Sequence, residues 1–180
     1  MLFRSKFSFF RQFREIVILA INIELKKMYP EKKAARYQRI YRQLEELLGK
    51  KGDLHSRMAT IAAVLHHKIE YFFWTGFYML SAGELVVRVY QGPVACQVLE
   101  QNRGVCWAAI QRGETIVVED VHQFPGHIAC DSRSQSEIVV PLRDKERNIT
   151  GVLDIDSKEK ASFDETDRQW LEKIVELLVE

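Results

Sequence analysis

The sequence predicts an α+β fold: a mostly antiparallel central sheet with helices gathered on one face and a loop-covered pocket on the other. Three observations lead there. Helical stripes come first, over residues 31–48 and again after Asp53. Aromatic and β-branched runs of strand length then fill the middle of the chain, and an amphipathic segment closes it. With 180 residues, 47% hydrophobic and 28% charged, the chain is large enough for one domain with a sizeable core.

In the first stripe Tyr37, Ile40, Tyr41, Leu44, Leu47 and Leu48 recur at helical spacing. Gly52 ends it, and Asp53 is placed to cap a second helix whose apolar face carries Met58, Ile61, Ala62, Leu65 and Ile69. His66 and His67 read as helix surface. FFWTGFYML (72–80) and ELVVRVY (84–90) read as strands joined by a hairpin turn at Ala82 and Gly83. GVCWAAIQR (104–112) is a short helix and ETIVVED (114–120) a strand. After a long loop holding Cys130, EIVVPLRD and ITGVLDIDS are two further strands around a polar turn. SFDETDRQWLEKIVELLVE reads as a capped helix burying Trp170, Leu171, Ile174, Val175 and Leu178.

Residues 1–30 read as a helical extension ahead of a domain over 31–180, with Met28 an alternative start. The longest apolar run there, IVILAINI (16–23), is far short of the roughly 20 residues that span a bilayer. Arg11, Arg14 and Glu15 interrupt the pattern of a signal peptide. The 26 basic and 25 acidic side chains leave a net charge of +1, which removes the global electrostatic reason to expect nucleic acid. Three cysteines with no CxxC pair argue against a secreted disulfide framework and for a reducing cytoplasm.

Trp74, Gly76 and Tyr78 share one strand face, as do Asp154 and Asp156. Core packing and a solvated strand end are the plainer readings of these two groups. Adjacent carboxylates raise at least one pKa unless a cation or proton sits between them, so the second group is also a candidate acid. Cys130 is the odd thiol. It lies in the loop of FPGHIACDSRSQSEIVVPL, outside any apolar run, with His127 three residues before it and Arg133 three after. Cys106 sits near the start of the short helix, and Cys96 follows the turn-like QGPVA. Basic neighbours and helix N-termini activate thiols, although buried inert cysteines fit the same positions. His122, His127 and Cys130 lack the close cysteine pairs of a structural zinc site, so no metal is expected. A Cys-His hydrolase is a further alternative, but clustered carboxylates suit an oxyanion poorly.

The runs QGPVACQVLEQNRGVCWAAI, VVEDVHQFPGHIACDSRSQSEIVVPL and GVLDIDS closely resemble the free methionine-(R)-sulfoxide reductase family, whose members are single GAF domains. The resemblance extends from about Trp74 to the C-terminus, and FPGHIACD followed by SEIVVPL is its most specific signature. It implies a GAF-like fold and reduction of free L-methionine-(R)-S-oxide to methionine. By this resemblance Cys130 attacks the sulfoxide, Cys96 is the principal resolving cysteine, and Cys106 is a second cysteine that can join the relay. Trp74 and Tyr78 match the aromatic wall of the substrate pocket. Glu137, Asp154 and Asp156 match its acidic cluster, with Glu137 and Asp156 serving the proton chemistry. The backbone at Ile128 and Ala129 would help hold the substrate carboxylate. The resemblance further implies a thioredoxin-like reductant with no organic cofactor or metal, and it is compatible with a homodimer. Two positions depart from the pattern: Trp107 stands where the family generally has glycine, and GPVAC replaces the common GK-containing turn. The competing class is a non-catalytic GAF module that binds a small ligand. The residues outside the GAF portion are too few for the output domain such a module serves.

Overall fold

A computed structural model of the chain describes residues 31–50, 52–128 and 130–179. The extension expected over residues 1–30, and Ala129, lie outside the described residues. By its contacts the chain divides into units of residues 1–37 and 38–180, and the sheet belongs to the second.

Helix α1 occupies residues 31–48, and α2 spans Leu54–Lys68. Asp53 caps α2, its carboxylate accepting from the Ser56 N–H at 2.8 Å. Strands β1 (Trp74–Ser81) and β2 (Glu84–Gln91) form a hairpin. Ala82 and Gly83 at its turn both have positive φ, 50° and 83°, the requirement of a tight turn whose twist matches its strands. Then follow β3 (Val98–Leu99), α3 (Gly104–Arg112), β4 (Ile116–Val118), β5 (Ser136–Arg143), β6 (Ile149–Ser157) and α4 (Glu165–Glu176). Helix α4 opens on a capping box: Asp164 accepts from the N–H groups of Thr166 and Asp167, and Asp167 accepts from that of Asp164.

The strands lie in the order β3-β2-β1-β6-β5-β4, each neighbouring pair antiparallel. Register then fixes the site. Trp74 on β1 lies opposite Asp156 on β6, which lies opposite Glu137 on β5. One step along, Gly76, Asp154 and Val139 form the next row. Strand alternation sends these residues to one face, while Thr75, Phe77, Ile138, Val140, Leu153 and Ile155 are buried on the other. Helix α2 packs against β1 and β2, and α4 against β5.

The α+β architecture expected from the sequence is present. The inserted helix α3 joins the loops on the pocket face, where Val105, Cys106, Trp107 and Ala109 share a buried cluster with Trp74, Tyr78, Val139 and Val152. Four positions of the expected apolar stripes differ. Leu47 is exposed, and Tyr41, Trp170 and Leu178 are only half-buried. Trp170 packs at the helix surface, its ring 6.0 Å from that of Tyr41 and carrying the Lys173 ammonium at 4.8 Å. Leu178 lies past the end of α4, off its helical stripe. His66 is half-buried rather than on the surface, whereas His67 is exposed. Among the described residues no helix is long and apolar enough to cross a membrane.

Candidate active site

Beneath α3 and the loop before β5 lies a pocket lined by Trp74, Tyr78, Cys106, Ile128, Cys130, Glu137, Asp154 and Asp156 among others. The described site residues proposed from sequence therefore converge, apart from Cys96, which reaches the site through a bond. Cys96, in the segment between β2 and β3, forms a disulfide with Cys130, their Cα atoms 5.5 Å apart. Cys130 is exposed at the mouth, while Cys106 is a free, buried thiol. In this disulfide-bonded form the cavity measures about 50 Å³, room for a few waters rather than an amino acid.

Trp74 lies across Gly76, where a Cβ would meet the indole at 2.3 Å, so glycine is what lets the ring lie flat. Trp74 stacks on Tyr90 at 5.5 Å and on Tyr78 at 5.8 Å between centroids. Three aromatic side chains thus brace one another along β1 and β2.

Glu137 and Asp154 are buried and Asp156 half-buried. Burial raises the carboxyl of Asp154 to about 7, moderated by hydrogen bonds from Cys106 and Glu137. Burial, reinforced by the charges of Asp154 and Asp156, holds Glu137 well above the usual carboxylate range. Burial and then Asp154 do the same for Asp156, whose carboxyl accepts from Ser134. Burial, followed by Asp154 and Glu137, likewise lifts the Cys106 thiol, which stays protonated. Near neutrality Asp154 is therefore partly ionised, and donors from Cys106 and Glu137 share its charge. Its Oδ1 is buried and has no partner. The donor atoms of Cys106, Glu137 and Asp154 lie within 4.8 Å of one another, close enough to share a cation.

This cluster has a stability signature. A carboxyl that titrates near 4 unfolded and near 7 folded leaves the native state holding more protons in between, so stability falls as pH rises from about 4 to about 7. Asp154→Asn removes that ionisation. Its thermal midpoint relative to the unsubstituted chain is expected to be more favourable at pH 8 than at pH 5. A pH-independent difference would contradict the assignment.

The loop carrying Cys130 has its own frame. Arg133, which the sequence offers as a cation near the thiol, is instead committed to Asp131 through Nε at 2.9 Å and a second nitrogen at 2.7 Å. This pairing holds Asp131 at about 2. The guanidinium also lies 4.9 Å from the centre of the Phe73 ring, whose ring Lys158 approaches as well, at 4.4 Å. Two basic residues do line the site, Arg103 and His127; His127 Nε2 lies 3.9 Å from a Glu137 oxygen, with burial keeping its pKa low. Ser134 and, on the first turn of α3, Gly104 and Val105 also line the pocket, positions the sequence does not single out. The signal for α3 is a missing one: Arg103 at its N-cap makes no side-chain capping bond.

A GAF domain model matches residues 55–179. GAF domain-containing protein A of Dictyostelium discoideum is 43% identical over 161 residues, 89% of this chain and 99% of that one. Free methionine-R-sulfoxide reductase of Escherichia coli is 40% identical over 139 residues, 77% of this chain and 84% of that one. This chain belongs to the free methionine-R-sulfoxide reductase family of GAF domain proteins. Among solved structures, the family member from Neisseria meningitidis in complex with its substrate superposes with a TM-score of 0.78 at 43% identity. That match covers 81% of this chain and 87% of the other. Trp107 is buried in the α3 cluster, and the GPVAC segment still delivers Cys96 to Cys130.

Proposed function

We propose that this chain reduces free methionine-(R)-sulfoxide to methionine, using Cys130 as nucleophile and Cys96 as the thiol that resolves it. One observation carries the reading: a cysteine pair bonded at the mouth of a pocket with aromatic walls and protonated acids. Binding a small ligand without turnover does not require that pair, and the relatives named as reductases favour catalysis.

The Cys130 thiolate attacks the sulfoxide sulfur while Glu137, held as a carboxylic acid, delivers a proton to the oxygen. Asp156, in register with Glu137, shares that duty. The oxygen passes to Cys130 as a sulfenic acid, and the substrate sulfur leaves reduced, as methionine. The Cys96 thiol then displaces the oxygen as water and forms the disulfide. A thioredoxin-like dithiol of a reducing cytoplasm returns both thiols, so the electrons balance without an organic cofactor or metal. Cys106 is a reserve thiol in this scheme.

Specificity for the free amino acid follows from the ends of the substrate. The unpartnered Asp154 Oδ1 accepts the ammonium, with Asp156 beside it. The carboxylate lies against the backbone at Ile128 and Ala129 and the uncapped start of α3. Trp74 and Tyr78 give the methyl group an apolar face, and the indole favours the partly positive sulfur.

The test is turnover with thioredoxin, thioredoxin reductase and NADPH. Oxidation of NADPH is expected with the free R epimer, and neither with the S epimer nor with a peptide-bound sulfoxide. Equal rates on free and peptide-bound substrate would overturn the reading.

A further inference from the structure

Both aromatic walls of the pocket are also hydrogen-bond donors, and both reach the segment that carries Cys96. Trp74 Nε1 donates to the Pro93 carbonyl at 3.1 Å. The Tyr78 hydroxyl donates to the carbonyl of Cys96 itself, also at 3.1 Å. Residues 92–97 have no helix or strand of their own. The segment is pinned at one end by Val87 N–H to the Gln97 carbonyl at 3.0 Å. At the other end Gly92, with φ 119°, presses so close to β1 that a Cβ would meet the Phe73 oxygen at 2.8 Å. Between these anchors Val94 is 83% exposed and contributes nothing to holding the cysteine. Tyr78 is fully buried and stacked on Trp74, so its hydroxyl is a well-held donor aimed at irregular backbone.

We propose that Tyr78 is a positioning residue for disulfide formation, its hydroxyl holding the Cys96 backbone so that the thiol stands over Cys130. The inference rests on the proposed roles of those two cysteines. In the step concerned, the Cys96 thiolate attacks the sulfur of the Cys130 sulfenic acid. The S–S bond forms, the S–O bond breaks, and the oxygen leaves with a proton as water. Methionine formation needs no Cys96, whereas this second step depends on how often the Cys96 sulfur stands in line with the S–O bond. Trp74 steadies the segment three residues away, but Tyr78 grips the cysteine's own peptide group. The side chain that walls the substrate pocket is thus tied to the thiol that must enter once the product has formed.

The experiment compares two rates in single turnovers of the reduced full chain: methionine formation, and decay of the Cys130 sulfenic acid into disulfide, followed by trapping and mass spectrometry. Tyr78→Phe keeps the ring and removes the bond. The ratio of disulfide rate to methionine rate is expected to fall by about three- to tenfold, the scale of one neutral hydrogen bond. In a Cys96→Ser background the same substitution is expected to leave the sulfenic lifetime unchanged, because no thiol remains to be positioned. If Tyr78→Phe does not fold, Gly92→Ala displaces the same segment from its other anchor and is expected to lower the same ratio. Equal slowing of both rates, or an altered sulfenic lifetime without Cys96, would overturn the proposal and leave the proposed function standing. Absence of any oxidised Cys130 in the unsubstituted chain would overturn the proposed function instead.

Discussion

Cys130→Ser is expected to form no methionine above background, even in a single turnover with excess free methionine-(R)-sulfoxide. An alcohol is too weakly acidic to supply the attacking anion, and no other thiol stands in its place. Cys106 is buried, and burial with the charges of Asp154 and Glu137 keeps it protonated. Cys96 itself does not line the pocket and is joined to it through its bond to Cys130. Loss of the Cys130 sulfur therefore leaves the acids and the aromatic wall with no nucleophile to serve. Cys106→Ser should be the mildest of the three cysteine substitutions, slowing recycling without abolishing it. Rapid-quench measurement of methionine per chain separates these outcomes, and a full equivalent from Cys130→Ser would place the nucleophile elsewhere.

Glu137→Gln is expected to slow the first chemical step by a factor on the order of 10² or more, the usual scale for positioned acid catalysis. Glutamine keeps the size of the side chain and a donor but has no proton to give up. The buried position of Glu137 and the two aspartates opposite and diagonal to it on β6 keep it protonated near neutrality. The acid form is the active one, so the rate of the unsubstituted chain should fall as pH rises through the titration of the cluster. Glu137→Gln should flatten that limb. Asp156→Asn, directly opposite Glu137 on β6, should slow the same step. Single-turnover rates within a few fold of the unsubstituted chain for both variants would reduce the cluster to a polar strand end.

Much of this site is legible in the sequence because strands alternate. WTGFYML and GVLDIDS put Trp74, Gly76 and Tyr78 on one face and Asp154 and Asp156 on one face without further information. The turn at Ala82 and Gly83 and the cap at Asp53 are local chemistry, and both appear where the residues predict them. Partnership between elements is another matter. That Glu137 meets Asp156 depends on the register of β5 against β6, which periodicity within either strand cannot give. The pairing of Cys96 with Cys130 closes a separation of 34 residues, and only resemblance to known proteins suggests it. The two-residue strand β3 and the 3₁₀ turn over Val121–Gln123 are too short to leave a periodic trace. Arg133 shows the converse failure. Proximity in sequence suggests a cation for the thiol, while a nearer carboxylate, Asp131, claims it.

The central claim is that substrate oxidises Cys130 and Cys96 then relieves it. The most direct measurement uses the reduced Cys96→Ser chain with free methionine-(R)-sulfoxide and no reductant, counting methionine released and weighing the Cys130 peptide. The account predicts one methionine per chain and one added oxygen on Cys130, trappable as a sulfenic acid because the partner thiol is gone. No methionine, or oxygen found on Cys106 with Cys130 unchanged, would contradict it.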